Sequence, residues 1–350
     1  MRRVALALLL LGSATDASAQ SLDIGAAGTG LSFGNSQEWN GVRINWSDDG
    51  VRRVNGVNIT LWRPRDNPDF MMNGVALGVV GPGVGTLRGI GIGLGGVVAE
   101  RSITGAAIGG LGVVAEGEIR GLAIAGLGVV AESGLTGVNV AGLGIVSEGS
   151  VFGINAAGLG IVSEGAMRGV NFAGLGVVSE GAMRGVNFAG LGVVAEGTMT
   201  GLNVAGLGVV SEGATRGLNI AGLAVVGEGG VQGVNLAGLA VVGDSDVTGV
   251  SIAGGLIESS TTLRGIHAAG YRVRAQRIDG LAASVVMTRT QSLRGVAIGG
   301  YNEVRGLQLG LAIGVFNTAD ELRGVQLGLL NRAKNNPAPF EWLPLVNAHF

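Results

Sequence analysis

Apolar and polar positions recur with a fixed sixteen-residue period along the middle of the chain. A Gly followed by an aliphatic residue or Ala stands at 89, 105, 121, 137, 153, 169, 185, 201, 217, 233, 249 and 265, giving eleven consecutive units over 89–264. Numbered from Gly169, one unit carries apolar residues at positions 2 and 4 (Val170, Phe172), 7 and 9 (Leu175, Val177) and 15 (Met183). Positions 2 to 4 and 7 to 9 alternate as a strand does, but the step from 4 to 7 is odd. "Ala-Gly" fills that break at 141–142, 173–174, 189–190, 205–206, 221–222 and 237–238. The step from 15 to the next position 2 is odd again, and Gly opens each unit.

Glycine and β-branched residues dominate and no 3.6-residue stripe is present, so the fold class is all-β. Two short faces joined by Gly corners and closed by a polar "SEGA" turn predict a β-solenoid with 16-residue rungs. The expected core is Val170, Phe172, Leu175, Val177 and Met183. The alternative is an outer-membrane β-barrel with one strand per 16–18-residue repeat. An uninterrupted strand over 170–178 would put Gly174 and Gly176 in the middle of one face and Asn171 on the other. Neither is a good lipid face, which favours the solenoid. The C-terminal aromatic Phe350 and the unbroken alternation of Leu307, Leu309, Leu311 and Ile313 favour the barrel.

Four segments follow: 1–19 as a signal peptide, 20–88 as an irregular N-terminal β or capping region, 89–264 as the repeats, and 265–350 as degenerate repeats with a C-terminal cap. The N-terminal region has strand-like "GVRINW" and "GVNITLW" before the turn cluster "RPRDNPD" at 63–69. In the last segment units reappear as "RGVAIGG" (294–300), "RGLQLGLAIG" (305–314) and "RGVQLGLLN" (323–331), the last two eighteen residues apart.

In-register stacking converts each unit position into a ladder with a spacing of about 4.8 Å. Position 3 is Asn at Asn139, Asn155, Asn171, Asn187, Asn203, Asn219 and Asn235, then Ser251 and His267. Side-chain amides in such a column bond from rung to rung, and the reading is a structural ladder at an outward or corner position. Position 12 is Glu100, Glu116, Glu132, Glu148, Glu164, Glu180, Glu196, Glu212 and Glu228, then Asp244. A file of carboxylates invites cation binding, yet each rung offers one carboxylate where Ca²⁺ takes several oxygens. Repulsion between neighbours is about 1 kcal/mol in water, tolerable with Arg120, Arg168, Arg184 and Arg216 at position 16. The favoured reading is a wet, solubilising edge, and no metal is assigned.

Composition narrows the function. Gly is 69 of 350 residues, charged residues 14% and the hydrophobic fraction 47%, which excludes an ordinary disordered polymer. A net charge of −2 gives no basic stripe, so nucleic acid is not an expected partner. There is no Cys, which removes disulfides and thiolate chemistry. Arg2 and Arg3, the apolar run Val4–Leu11 and "ASA" at 17–19 predict a cleaved signal peptide ending at Ala19, without a lipidated Cys.

No catalytic constellation emerges. His267 and His349 are the two histidines and no third group defines a triad. "GIGIGLGG" at 89–96 precedes no helix that would cap a phosphate, so no dinucleotide or other cofactor is assigned. Trp39, Trp46, Trp62 and Trp342 lie outside the regular repeats, as caps or interface residues.

The closing run "ELRGVQLGLLNRAKNNP…LPLVNAHF" resembles a family of bacterial Gly-rich surface-repeat proteins, in which G-[LV]-Q-[LI]-G-L-x-N recurs before an LP..N..F C-terminus. Gly324–Asn331 and Leu343–Phe350 carry the match; "RGLQLGLAIG" departs where Asn is expected. The resemblance implies an exported envelope or surface protein and supplies no catalytic residues.

The expected function is that of an exported cell-envelope repeat protein, in the periplasm or at the outer membrane and cell surface of a Gram-negative-type envelope. Its role is structural or interactive, with small-residue faces (Ala173, Gly176) docking an envelope partner or a second copy. The alternatives are an integral outer-membrane barrel or pore and, more weakly, a polysaccharide-acting β-helix enzyme.

Overall fold

The computed structural model describes residues 21–62 and 67–350. The predicted signal peptide and part of the 63–69 turn cluster lie outside the described residues. Among the described residues every regular element is a β-strand. The chain divides into two compact units, Met1–Gly137 and Val138–Phe350. Each is a β-solenoid of stacked coils.

A coil of the second unit has one long and one short strand. Met167–Ala173 is long and Gly176–Ser179 short, with bends at 174–175 and 180–181. Long strands pair with long strands in parallel, so that Met167 lies opposite Met183 and Ala173 opposite Ala189. Short strands pair likewise, Gly176 opposite Gly192 and Ser179 opposite Ala195. The bends are tied down by the same coil-to-coil logic: Leu175 N–H donates to Leu159 O at 2.7 Å and Glu180 N–H to Ser163 O at 3.0 Å. Few backbone groups at these corners are thus left unpaired. Parallel pairing with a sixteen-residue offset replaces the antiparallel neighbours that a one-strand-per-repeat barrel requires.

Gly169 bends the long strand. Its φ is +120°, and a Cβ there would lie 2.0 Å from the carbonyl oxygen of Gly153 in the coil below. Both the backbone conformation and the close approach demand glycine.

The interior departs from the sequence expectation in a definite way. Val177 and Met183 are buried as expected, but Val170, Phe172 and Leu175 are exposed. Asn171, Ala173 and Ser179 take the inner side instead. The alternation running back from Ala173 through Asn171 and Gly169 to Met167 is unbroken, so the Gly bend leaves parity intact. The largest apolar residues were assigned inward, whereas the coil interior accepts Asn and Ala and leaves Val170 and Phe172 outside. Leu175 is at the bend itself, where its side chain turns outward.

The first unit begins with the antiparallel hairpin Ser21–Ala26 and Thr29–Gly34. Glu38–Asn45, Arg53–Thr60 and Met71–Gly78 then stack in parallel, with Gly41, Gly56, Gly74 and Gly89 in register. In the second unit the coils after Gly265 continue through Gly280 and Gly295, then Gly310 and Gly324. Trp342–His349 closes this end by pairing antiparallel with Gly324–Arg332. The eighteen-residue spacing of the two "RG-L/V-Q-L-G" segments is therefore not the stacking register.

Candidate interaction surface

The Asn ladder is interior. Asn139, Asn155, Asn171, Asn187, Asn203, Asn219 and Asn235 are all fully buried, which corrects their outward or corner placement. Each Nδ2 donates to the next Oδ1: Asn155 to Asn171 at 2.9 Å, Asn171 to Asn187 at 2.8 Å, Asn187 to Asn203 at 2.8 Å. The column ends as Asn235 meets Ser251 at 3.4 Å. Satisfied amides of this kind can be buried because their desolvation is offset along the row. A second ladder runs Asn302 to Asn317 to Asn331, each step 2.7 Å.

Glu116, Glu132, Glu148, Glu164, Glu180, Glu196, Glu212, Glu228 and Asp244 are exposed at the turn, and Glu100 is half-buried. Glu100 Oε1 accepts from the backbone N–H of Asn67 at 2.7 Å. Among the described residues no three His, Cys, Asp or Glu side chains converge as a metal site.

The outward positions carry the apolar residues. In the second unit Ile154 and Val170 stand on the long-strand face, joined by Phe172, and Val162 and Val178 on the short-strand face. Between them the corner presents Leu143, Leu159, Leu175, Leu191, Leu207, Leu223 and Leu239, Leu175 being 46% exposed and Phe172 57%. Phe172 and Phe188 are neighbours at 6.5 Å between ring centroids. The result is a convex edge with aliphatic side chains on three sides, while the opposite corner holds the Glu column, with Arg168, Arg184 and Arg216 beside it in three of the coils. Ala173, expected on a docking face, is buried.

Two of the surface hollows are lined largely by apolar residues. One in the first unit, about 540 Å³, is walled by Val98, Leu111 and Val114 with Glu100 and Glu116 at its side. The other, about 630 Å³, lies among the last coils against Ile298, Ile313, Leu327, Leu329 and Leu345. Leu345 is held at φ +66° and is exposed.

His267 is buried in the Asn slot, and neither ring nitrogen has a hydrogen-bond partner. His349 Nδ1 lies 2.6 Å from Asn336 Oδ1. Trp39 is buried and donates Nε1–H to Gly30 O at 3.1 Å. Trp46 and Trp62 stack on the surface at 5.9 Å, and Trp342 packs 5.9 Å from Phe316. Sequence reasoning missed the outward apolar edge because it assigned the same residues to the core. It also missed Arg43 and Asp48, a fully buried ion pair in the first unit at 2.5 Å. No family model, curated protein or solved structure matches this chain.

Proposed function

We propose that this protein is an exported envelope scaffold whose solenoid presents a long apolar edge as its interaction face. The observation that carries the reading is the outward placement of Val170, Phe172, Leu175 and Val178, with their equivalents in successive coils, opposite the carboxylate corner. An ordinary soluble surface carries its aliphatic residues scattered, and contiguous apolar patches mark sites of association. The signal-like segment at 1–19 and the resemblance to surface-repeat proteins support export. A coil surface almost free of insertions supports a structural role.

Fractionation tests the export. An epitope-tagged chain expressed in a Gram-negative host is expected in the envelope fraction, shortened by cleavage after Ala19. Recovery of the full-length chain in the cytoplasm would overturn the envelope assignment.

A further inference from the structure

The apolar edge invites the question of what covers it, and its shape answers. A flat partner, such as the sheet of a second copy, can cover the Val170 face or the Val178 face but not both together with the Leu175 corner between them. A deformable apolar phase covers both faces and the corner at once. The chemistry agrees: protein–protein interface cores are enriched in Tyr, Trp, Phe, Met and Arg, with hydrogen bonds that fix orientation. Positions 2, 4, 7 and 10 of the regular coils in the second unit are instead aliphatic almost throughout, with Phe172 and Phe188 as the aromatic exceptions.

We propose that this edge inserts into the hydrocarbon boundary of a lipid bilayer, so that the solenoid lies on a membrane surface with its Glu corner in water. The proposal rests on the reading above that the apolar edge is an interaction face, and names its partner. The dimensions permit it. Leu175 and Glu180 are five residues apart, about 16 Å along an extended chain at roughly 3.3 Å per residue. Interfacial elements bury their apolar side by about 5–10 Å, so Leu175 reaches acyl chains while Glu180 remains at or above the headgroups. Charge sets the orientation. The file from Glu148 to Glu228 outnumbers Arg168, Arg184 and Arg216 beside it, and anionic headgroups repel it. Binding is therefore driven by hydrocarbon and needs no anionic lipid.

The test uses the chain from Gln20 onward, with vesicles of phosphatidylcholine alone or with added phosphatidylglycerol. The unmodified chain is expected to float with pure phosphatidylcholine vesicles, undiminished by molar salt and not improved by phosphatidylglycerol. Two double variants, Val170→Glu with Val186→Glu and Val178→Glu with Val194→Glu, alter opposite faces. A triple variant, Leu175→Glu, Leu191→Glu and Leu207→Glu, alters the corner. Each is expected to lower the partition coefficient by about tenfold or more, since several aliphatic groups lose their burial, with the strand signature of the circular dichroism retained. A variant that loses that signature is set aside, and the salt and lipid series on the unmodified chain decides alone.

Failure to float, loss of binding in salt, or a requirement for phosphatidylglycerol would overturn the proposal. So would a dimer in sedimentation that only one of the two face variants dissociates, which would identify a second copy as the occupant. These readouts use purified chain, so failed export sinks the envelope reading without touching them.

Discussion

Asn171 donates its Nδ2 hydrogen to Oδ1 of Asn187 at 2.8 Å, sixteen residues on and wholly inside the solenoid. Each amide from Asn155 to Asn235 is at once donor to one neighbour and acceptor from the other, so removing one strands two. Asn187→Ala is expected to leave the Asn171 donor and the Asn203 acceptor without partners. Each unsatisfied buried group costs about 1–3 kcal/mol, so the loss is roughly 2–6 kcal/mol. Repeat arrays need not unfold in one step. Hydrogen exchange across residues 167–205 is the suitable measurement, and unchanged protection there would refute a stabilising ladder.

Two glycines of one unit should behave oppositely. Gly185 has φ +122°, and a Cβ there would fall 2.1 Å from Gly169 O. Gly185→Ala must therefore displace a strand, and its cost should exceed the 1–3 kcal/mol of backbone strain alone. A Cβ on Gly176 would be 3.8 Å from Gly192 O, an ordinary contact. The same column already holds Ala224 and Ala240. Gly176→Ala should be neutral or stabilise by up to about 1 kcal/mol through the unfolded chain. Thermal melts of the two variants compare them directly, and equal shifts would contradict the stacking geometry.

Length changes belong at the corners. Ser284 lies opposite Gly299 but Met287 opposite Tyr301, so one coil loses a residue at its bend while the flanking pairs stay in register. The register between Val84 and Thr86 shifts in the same manner at the other turn. One residue inserted between Ala173 and Gly174 should therefore be absorbed. One residue inserted between Val170 and Asn171 should turn Val170 or Asn171 to the wrong side, because side chains alternate strictly along a strand. Limited proteolysis should leave the first variant resistant and cut the second near residue 170; equal sensitivity would argue against the Ala-Gly corner.

The period, the corner at Ala173–Gly174 and the polar turn at Glu180 were legible in the sequence because glycine and spacing encode them. The expected parity break was not found: the inner residues Asn171, Ala173, Val177 and Ser179 keep one parity across the corner. The inner side was not legible. Hydrophobicity marks Val170 and Phe172 as core, whereas the coil interior selects for side chains that tile along its axis, and Asn171 tiles through hydrogen bonds that no single repeat reveals. In the last coils the stacking register was visible but displaced. "GVAIGGYN" (295–302), "GLAIGVFN" (310–317) and "GVQLGLLN" (324–331) align on their final Asn, the residues of the second amide ladder. The more conspicuous Arg-Gly pairs at 305 and 323 led away from it. The apolar edge was hidden by the same error as the core, since one misassigned parity conceals both.

In the first unit, Arg43 Nη1 donates to Asp48 Oδ1 at 2.5 Å and to Asn58 Oδ1 at 2.8 Å, and Thr60 Oγ1 donates to Asp48 Oδ2. Burial lowers the Arg43 pKa, and the adjacent Asp48 opposes that shift. Arg43→Ala leaves Asp48 buried without its counter-charge and is expected to cost about 3–5 kcal/mol. Arg43→Met with Asp48→Asn removes both charges while leaving an acceptor oxygen for Asn45, Asn58 and Thr60, and should cost less than the single change. Denaturation of the two variants side by side makes the comparison, and a double variant no better than the single one would show that the pair is not the source.

His267 is expected to make the second unit sensitive to acid. It occupies the slot that Asn fills in earlier coils, opposite Ser251 and Ala282. Burial lowers its pKa, and the backbone of Arg264 opposes this only in part, without closing a hydrogen bond. A depressed histidine pKa means that the unfolded chain binds a proton at a pH where the folded chain does not. Its contribution therefore falls as pH drops below the unfolded value of about 6.5, and levels off below the lowered folded value. His267→Asn should abolish that part of the pH dependence and raise stability at pH 7 as well, because Asn can bond to Ser251 where the imidazole bonds to nothing. Melting temperatures of both proteins from pH 8 to pH 5 are expected to diverge as the pH falls. Parallel curves would place the acid sensitivity elsewhere.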